Sequence, residues 1–151
     1  MKYVASLMLV VLTSLPSLGA EQESAKSDQN RAAVQKICPV SGQQLGAHGA
    51  PVKAKIGEEV IFLCCKGCLK GKVSTEHWAT IHANFAKAQG KCPVMNKALP
   101  KSPKWTVVNG RIVYVCCPPC TKKIAAAPAK YLQVVDEFYA AHLKSQQPQG
   151  Q

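Results

Sequence analysis

Eight cysteines fall in this chain as two matched sets of four. In the first, Cys38-Pro39-Val40-Ser41-Gly42 leads, after 25 residues between Cys38 and Cys64, to Cys64-Cys65-Lys66-Gly67-Cys68. In the second, Cys92-Pro93-Val94-Met95-Asn96 leads, after 23 residues between Cys92 and Cys116, to Cys116-Cys117-Pro118-Pro119-Cys120. A duplication of this kind limits each unit to about fifty residues, and below ~70–80 residues a single apolar core rarely stabilises a fold without a disulfide, a metal or a partner. The cysteines are the residues able to supply that staple.

The segments around them carry hairpin and helix signals. Trp105–Val108 and Arg111–Val115 are β-branched or aromatic runs separated by Asn109-Gly110, a strong signal for a two-residue hairpin turn. In the first unit Pro51–Ile56 and Val60–Leu63 flank Gly57-Glu58-Glu59, which suits a hairpin with a bulge or a longer turn. Ser74 or Thr75 can cap a helix in which Trp78, Ile81, His82 and Phe85 recur at helical spacing. Pro128 suits a first helical turn, with Tyr131, Val134, Val135, Phe138 and Leu143 on the buried face. The fold class expected is α+β: two tandem hairpin-plus-helix cysteine modules, residues 37–90 and 91–144.

Residues 1–20 have the layout of a secretory signal: Lys2, an apolar run from Val4 to Leu12, and the small-residue stretch Ser17-Leu18-Gly19-Ala20. The run is short of the ~20 residues that span a bilayer, so a leader cleaved after Gly19 or Ala20 is expected, with no transmembrane segment left behind and a periplasmic or secreted location. Residues 21–36 are polar and lack aromatics, which reads as a flexible linker, and 145–151 read as a disordered tail. Without Lys2 the chain has eighteen Lys and Arg against eight Asp and Glu, a formal charge of 18 − 8 = +10. No acidic residue lies between Glu76 and Asp136. Export and the lack of interleaved aromatics argue against a nucleic-acid partner; a solvated surface, or a positive field that offsets thiolate charge, accounts for the lysines.

Three chemistries fit the cysteines. A soft or borderline metal ion wants thiolates converging from a turn and from the end of a hairpin running into a helix. That suggests Cys38, Cys64 and Cys68 as one ligand set and Cys92, Cys116 and Cys120 as the other, one Zn(II) or Cu(I) per module. Cys65, Cys117 and Met95 are reserve or exchange ligands, and Met95 would favour Cu(I). Three residues after the first cysteine, where a two-cysteine knuckle has its second thiol, stand Ser41 and Met95. The fourth position of the first site is open among Cys65, His48 and solvent. His82 falls on an apolar helix face and reads as core, and His142 as exposed. Alternatively, eight cysteines in an exported protein form disulfides and make a structural or protein-binding module. The third reading takes Cys65-Lys66-Gly67-Cys68 and Cys117-Pro118-Pro119-Cys120 as redox Cys-x-x-Cys groups, although these normally sit in a βαβ context. No paired carboxylates, phosphate loop or Ser/His/Asp grouping supports another enzyme.

The pattern of one Cys, a gap, then Cys-x3-Cys resembles the small treble-clef-like heavy-metal-binding domains called TRASH and their YHS relatives. It is met by Cys38 with Cys64 and Cys68, and by Cys92 with Cys116 and Cys120. Lys122 to Leu132 is similar to the helix that follows in that family. The resemblance spans Cys38 to Leu143 and implies two treble-clef-like modules that bind metal in sensing, trafficking or resistance, with a metal-transport or metal-receiving protein as partner, and no catalysis. The chain departs from the family in slightly longer gaps and in the extra Cys65 and Cys117.

Overall fold

The computed structural model describes residues 18–147. The leader expected over residues 1–20 lies outside the described residues except for residues 18–20, and residues 148–151 of the expected tail lie outside them too. Helix α1 (Leu18–Gln35) is followed by the hairpin β1 (Val52–Ile56) and β2 (Glu59–Leu63), a five-residue 3-10 helix (Lys66–Lys70) and helix α2 (Thr75–Gln89). A second hairpin, β3 (Lys104–Val108) and β4 (Arg111–Val115), leads into helices α3 (Pro119–Ala126) and α4 (Pro128–Gln146). The fold is therefore mixed helix and sheet, with two separate two-stranded antiparallel hairpins. No helix among the described residues is long and apolar enough to cross a membrane.

Both hairpins close through two-residue turns. Ile56 pairs with Glu59 and Val108 with Arg111, so the first hairpin is as tight as the second and has no bulge at its turn. Asn109 and Gly110 both take positive φ (51° and 75°), the backbone that an Asn-Gly turn supplies at low cost. Helix α2 starts where expected: Ser74 is its N-cap and accepts a hydrogen bond from the His77 N–H, and Gly90 ends it in the left-handed region. The helix anticipated over Lys122–Leu132 is instead two helices. Ala127 (φ −143°, ψ 63°) breaks the chain between them, and Pro128 begins the second because its missing N–H costs nothing in a first turn.

The largest correction concerns residues 21–36. Residues 21–35 are not a flexible linker; they form the body of α1, with Arg31, Val34 and Gln35 buried, and Lys36 turns out of it at positive φ (68°). Composition hid this because the buried face is mostly polar and satisfied by hydrogen bonds. Arg31 donates to the Val60 carbonyl at 2.5 Å and pairs with Asp28 at 3.2 Å. Ser27 donates to the Asp136 carboxylate on α4 at 3.0 Å. Similarly, α4 runs to Gln146, so Ser145 and Gln146, expected in a disordered tail, are helical.

Helices α1, α2 and α4 pack on one another and share the main apolar core, built from Val34, Ile81, Phe85, Ile112 to Val115, Ile124, Val135 and Tyr139. The two cysteine-bearing units are thus interlocked, where tandem modules with separate cores were expected. The hairpins also meet: the Val60 N–H donates to the Gly110 carbonyl at 2.7 Å. A Cβ on Gly110 would lie 2.5 Å from Val60 Cγ2, so this approach needs a glycine.

The repeat extends upstream of the cysteines. Gln35 is fully buried, donates through Nε2 to the carbonyls of Ile37 (2.9 Å) and Phe62 (2.6 Å), and accepts from the Phe62 N–H (2.9 Å). Gln89 does the same with Lys91 (2.8 Å) and Tyr114 (2.7 Å, and 2.9 Å from its N–H). Each repeat unit is therefore a helix, a cysteine turn and a hairpin, in that order.

Candidate metal centres

Each first cysteine sits in a tight turn just after a helix. The Cys38 carbonyl accepts from the Gly42 N–H at 2.9 Å and the Cys38 N–H donates to Gln43 at 2.8 Å. Cys92 repeats this with Asn96 and Lys97, both at 2.8 Å. Gly42 and Asn96 both adopt positive φ (71° and 51°), which reverses the chain there. Cys64 and Cys116 follow the last residues of β2 and β4, while Cys68 lies on the 3-10 helix and Cys120 in the first turn of α3.

The outcome is two thiol triads. The Sγ atoms of Cys38, Cys64 and Cys68 lie within 4.8 Å of one another, as do those of Cys92, Cys116 and Cys120, and each triad could hold a metal ion. Cys64 and Cys68 are 3.6 Å apart, Cys116 and Cys120 4.0 Å. Four sulfurs at ~2.3 Å from a tetrahedral ion are separated by about 3.8 Å, so these distances suit a shared ion. All eight thiols are free; Cys117 Sγ and Cys120 Sγ, for instance, are 3.2 Å apart, well beyond the ~2.05 Å of a disulfide.

The turns favour a thiolate at the first cysteine. Burial pushes the Cys38 thiol up, but the N–H groups of Ser41 and Cys64, the Ser41 hydroxyl and the Val40 N–H outweigh it and bring it down to about 6. At Cys92 burial is likewise overcome, by the N–H groups of Cys116, Met95 and Val94, and the thiol is shifted down. Cys68 moves the other way: burial and the neighbouring thiols of Cys64, Cys38 and Cys65 push it up to about 12. Burial also raises Cys120, helped by the thiols of Cys117 and Cys92. The first cysteine of each site is thus biased toward the thiolate while Cys68 and Cys120 are biased toward the thiol, and a soft cation binding there would displace the protons that those thiols carry.

The remaining candidates differ in position. Cys65 is exposed, with Sγ 3.9 Å from Cys68, whereas Cys117 is half-buried, 3.2 Å from Cys120 and 3.9 Å from Cys116. Met95 is 45% exposed in the Cys92 turn. Ser41, its counterpart, shares a 3.3 Å hydrogen bond with Cys64 Sγ. His48 is exposed and belongs to neither triad. His82 is held by structural contacts: its Nδ1 lies 3.0 Å from the Tyr114 hydroxyl and its Nε2 3.4 Å from Glu59. His142 is half-exposed and bonded to Gln146 at 2.7 Å. Exposed lysines flank both sites, Lys66, Lys70 and Lys72 at the first, Lys97, Lys122 and Lys123 at the second.

Sequence reasoning missed Gln35 and Gln89, which fix the strands that deliver Cys64 and Cys116. A signal was present: each glutamine stands three residues before a Cys-Pro pair.

No protein-family profile, curated protein or solved structure matches this chain.

Proposed function

We propose that the protein is an exported binder of soft metal ions, taking one Zn(II) or Cu(I) at each cysteine triad and serving in metal trafficking, sensing or sequestration. The observation that carries this is the double convergence of three Sγ atoms within 4.8 Å, from a turn, a strand end and a helix start in both units. Thiolate-only donor sets select Zn(II) and Cu(I) over hard cations. The surrounding lysines offset the negative charge that such a set gathers. The likeness of the cysteine pattern to the TRASH and YHS domains supports the same reading. Binding rather than catalysis is favoured because both sheets are antiparallel hairpins, whereas Cys-x-x-Cys redox motifs are normally carried by a βαβ unit. A metal-transport or metal-receiving protein would be the natural partner.

Native mass spectrometry of the protein isolated anaerobically from its own compartment tests all of this. The expected spectrum shows a chain shortened by its leader, two metal ions, and no loss of hydrogens beyond those the ions displace. A metal-free chain lacking eight hydrogens would instead mean four disulfides and a scaffold role, and would end the metal reading.

A further inference from the structure

The two triads are copies in sequence but not in setting. Cys92 and Cys120 belong to the main apolar core shared by α1, α2 and α4. Cys120 is carried by α3, whose Ile124 is completely buried in that core. By contrast, Cys38 and Cys64 belong to a small satellite cluster whose one other buried member is Leu63. Cys68 is carried by a five-residue 3-10 helix with no buried residue.

The fourth sulfur differs as well. At the second site Cys117 is half-buried, 3.2 Å from Cys120 and 3.9 Å from Cys116, and with the 4.0 Å between Cys116 and Cys120 these distances close a triangle of sulfurs, two of which, Cys116 and Cys120, also lie within 4.8 Å of Cys92. The intervening Pro118-Pro119 pair restricts the backbone that joins Cys117 to Cys120. At the first site Cys65 is exposed, and its link to Cys68 runs through Lys66-Gly67, where glycine leaves the backbone free. Here the Ser41 hydroxyl, where the second site has Met95, shares a hydrogen bond with Cys64 Sγ at 3.3 Å.

We infer that the two sites divide their roles: Cys92, Cys116, Cys117 and Cys120 form a closed four-sulfur site whose ion holds the fold, and Cys38, Cys64 and Cys68 form an open site whose ion exchanges. This rests on the metal reading above and deepens it. Structural thiolate sites are four-coordinate and closed, while a site that exchanges ligands keeps a position open. Emptying the first site disturbs a peripheral cluster; emptying the second opens the main core.

The test uses Zn(II) as probe. The protein loaded with two equivalents is mixed with excess chromophoric chelator, and release is followed together with far-UV circular dichroism. Two phases of equal amplitude are expected, separated at least tenfold or so, a scale that even outer-shell changes produce at metal sites. Ellipticity should fall only in the slow phase. Cys68→Ser should remove the fast phase and keep the spectrum. Cys117→Ser, which leaves three thiolates at the second site, should accelerate the slow phase and spare the fast one. Release of both ions in one phase, loss of fold in Cys68→Ser, or disappearance of the fast phase in Cys117→Ser overturns the division while leaving metal binding intact. A wild-type protein that retains no Zn(II) overturns both readings.

Discussion

Gln35→Leu is the sharpest test of the claim that α1 belongs to the fold. The glutamine is fully buried and makes three hydrogen bonds to backbone groups, two of them to Phe62 in the middle of β2. Phe62 sits opposite Lys53 in the hairpin register, and its N–H and carbonyl turn away from β1 toward the helix. Leucine fills a similar volume but offers neither donor nor acceptor, so both Phe62 groups and the Ile37 carbonyl lose their partner. A net ~1 kcal/mol for each bond gives a loss of about 3 kcal/mol, and the cost rises if the stranded groups stay dry. With a urea dependence of ~1.5–2 kcal/mol per molar for a domain of this size, the midpoint should fall by about 1.5–2 M. Metal loading must be equal in both proteins, because an ion bound only to the native state adds its own stabilisation. Gln89→Leu should cost the same, since its three bonds are equivalent, and the exposed Gln133→Leu should cost nothing measurable. A midpoint shift for Gln35→Leu of less than about 0.5 M, roughly a third of the expected fall, would refute the reasoning and return residues 21–36 to the status of a tether.

Gly110→Ala should destabilise by about 3 kcal/mol, combining a positive-φ penalty near 1 kcal/mol with overpacking of about 2 kcal/mol against Val60. Gly57→Ala, at φ 61° with open space around it, should cost only about 1 kcal/mol. Thermal melts of both, and partial recovery on adding Val60→Ala to Gly110→Ala, check that the hairpins press together. The reduced, metal-free protein should gain stability as pH rises from about 6 toward 9, because Cys38 is held at about 6 against an ordinary 9.0 and the unfolded chain holds that proton longer. Cys65, Cys92 and Cys117 are shifted in the same direction. Above 9 stability should decline, since Cys68, pushed up to about 12, keeps its proton in the folded state after the unfolded chain has lost it. Urea midpoints that stay flat across the lower window would show that the turn around Cys38 does not stabilise a thiolate.

Much of the fold could be read from residue patterns where chemistry and periodicity agree. The Asn109-Gly110 turn, the Ser74 cap, the Pro128 helix start and the convergence of Cys38, Cys64 and Cys68 all follow from local preferences or from the duplication itself. What escaped was burial achieved by polar residues. Helix α1 contributes Val34 as its apolar anchor, beside Arg31 and Gln35, whose burial depends on partners in β2 that composition cannot reveal. The break at Ala127 has a local cause that the resemblance passed over: alanine favours helix, but the residue before a proline is pushed out of the helical region, and Pro128 follows it. The unequal settings of Cys65 and Cys117 depend on what lies around them, and two identical Cys-Cys-x-x-Cys spacings do not express that.

The placement of the two glutamines explains how so small a structure prepares its sites. Gln35 lies three residues before Cys38 and grips Phe62, two residues before Cys64; Gln89 stands in the same relation to Cys92 and, through Tyr114, to Cys116. A single buried side chain at a helix end therefore sets the distance between the turn that carries one ligand and the strand that carries the next. The main chain, held by hydrogen bonds, sets the spacing of two of the three thiols in each triad, and a spacing fixed by the fold lowers the ordering cost that binding an ion would have to meet. What the helix end does not fix is the third cysteine and its neighbour, carried on the segment after the hairpin. There the two copies have diverged, into a five-residue 3-10 helix at one site and an α-helix anchored by Ile124 at the other. Sites with a common scaffold for two ligands and separate scaffolds for the rest can differ in how readily they let go of an ion without differing in which ion they choose.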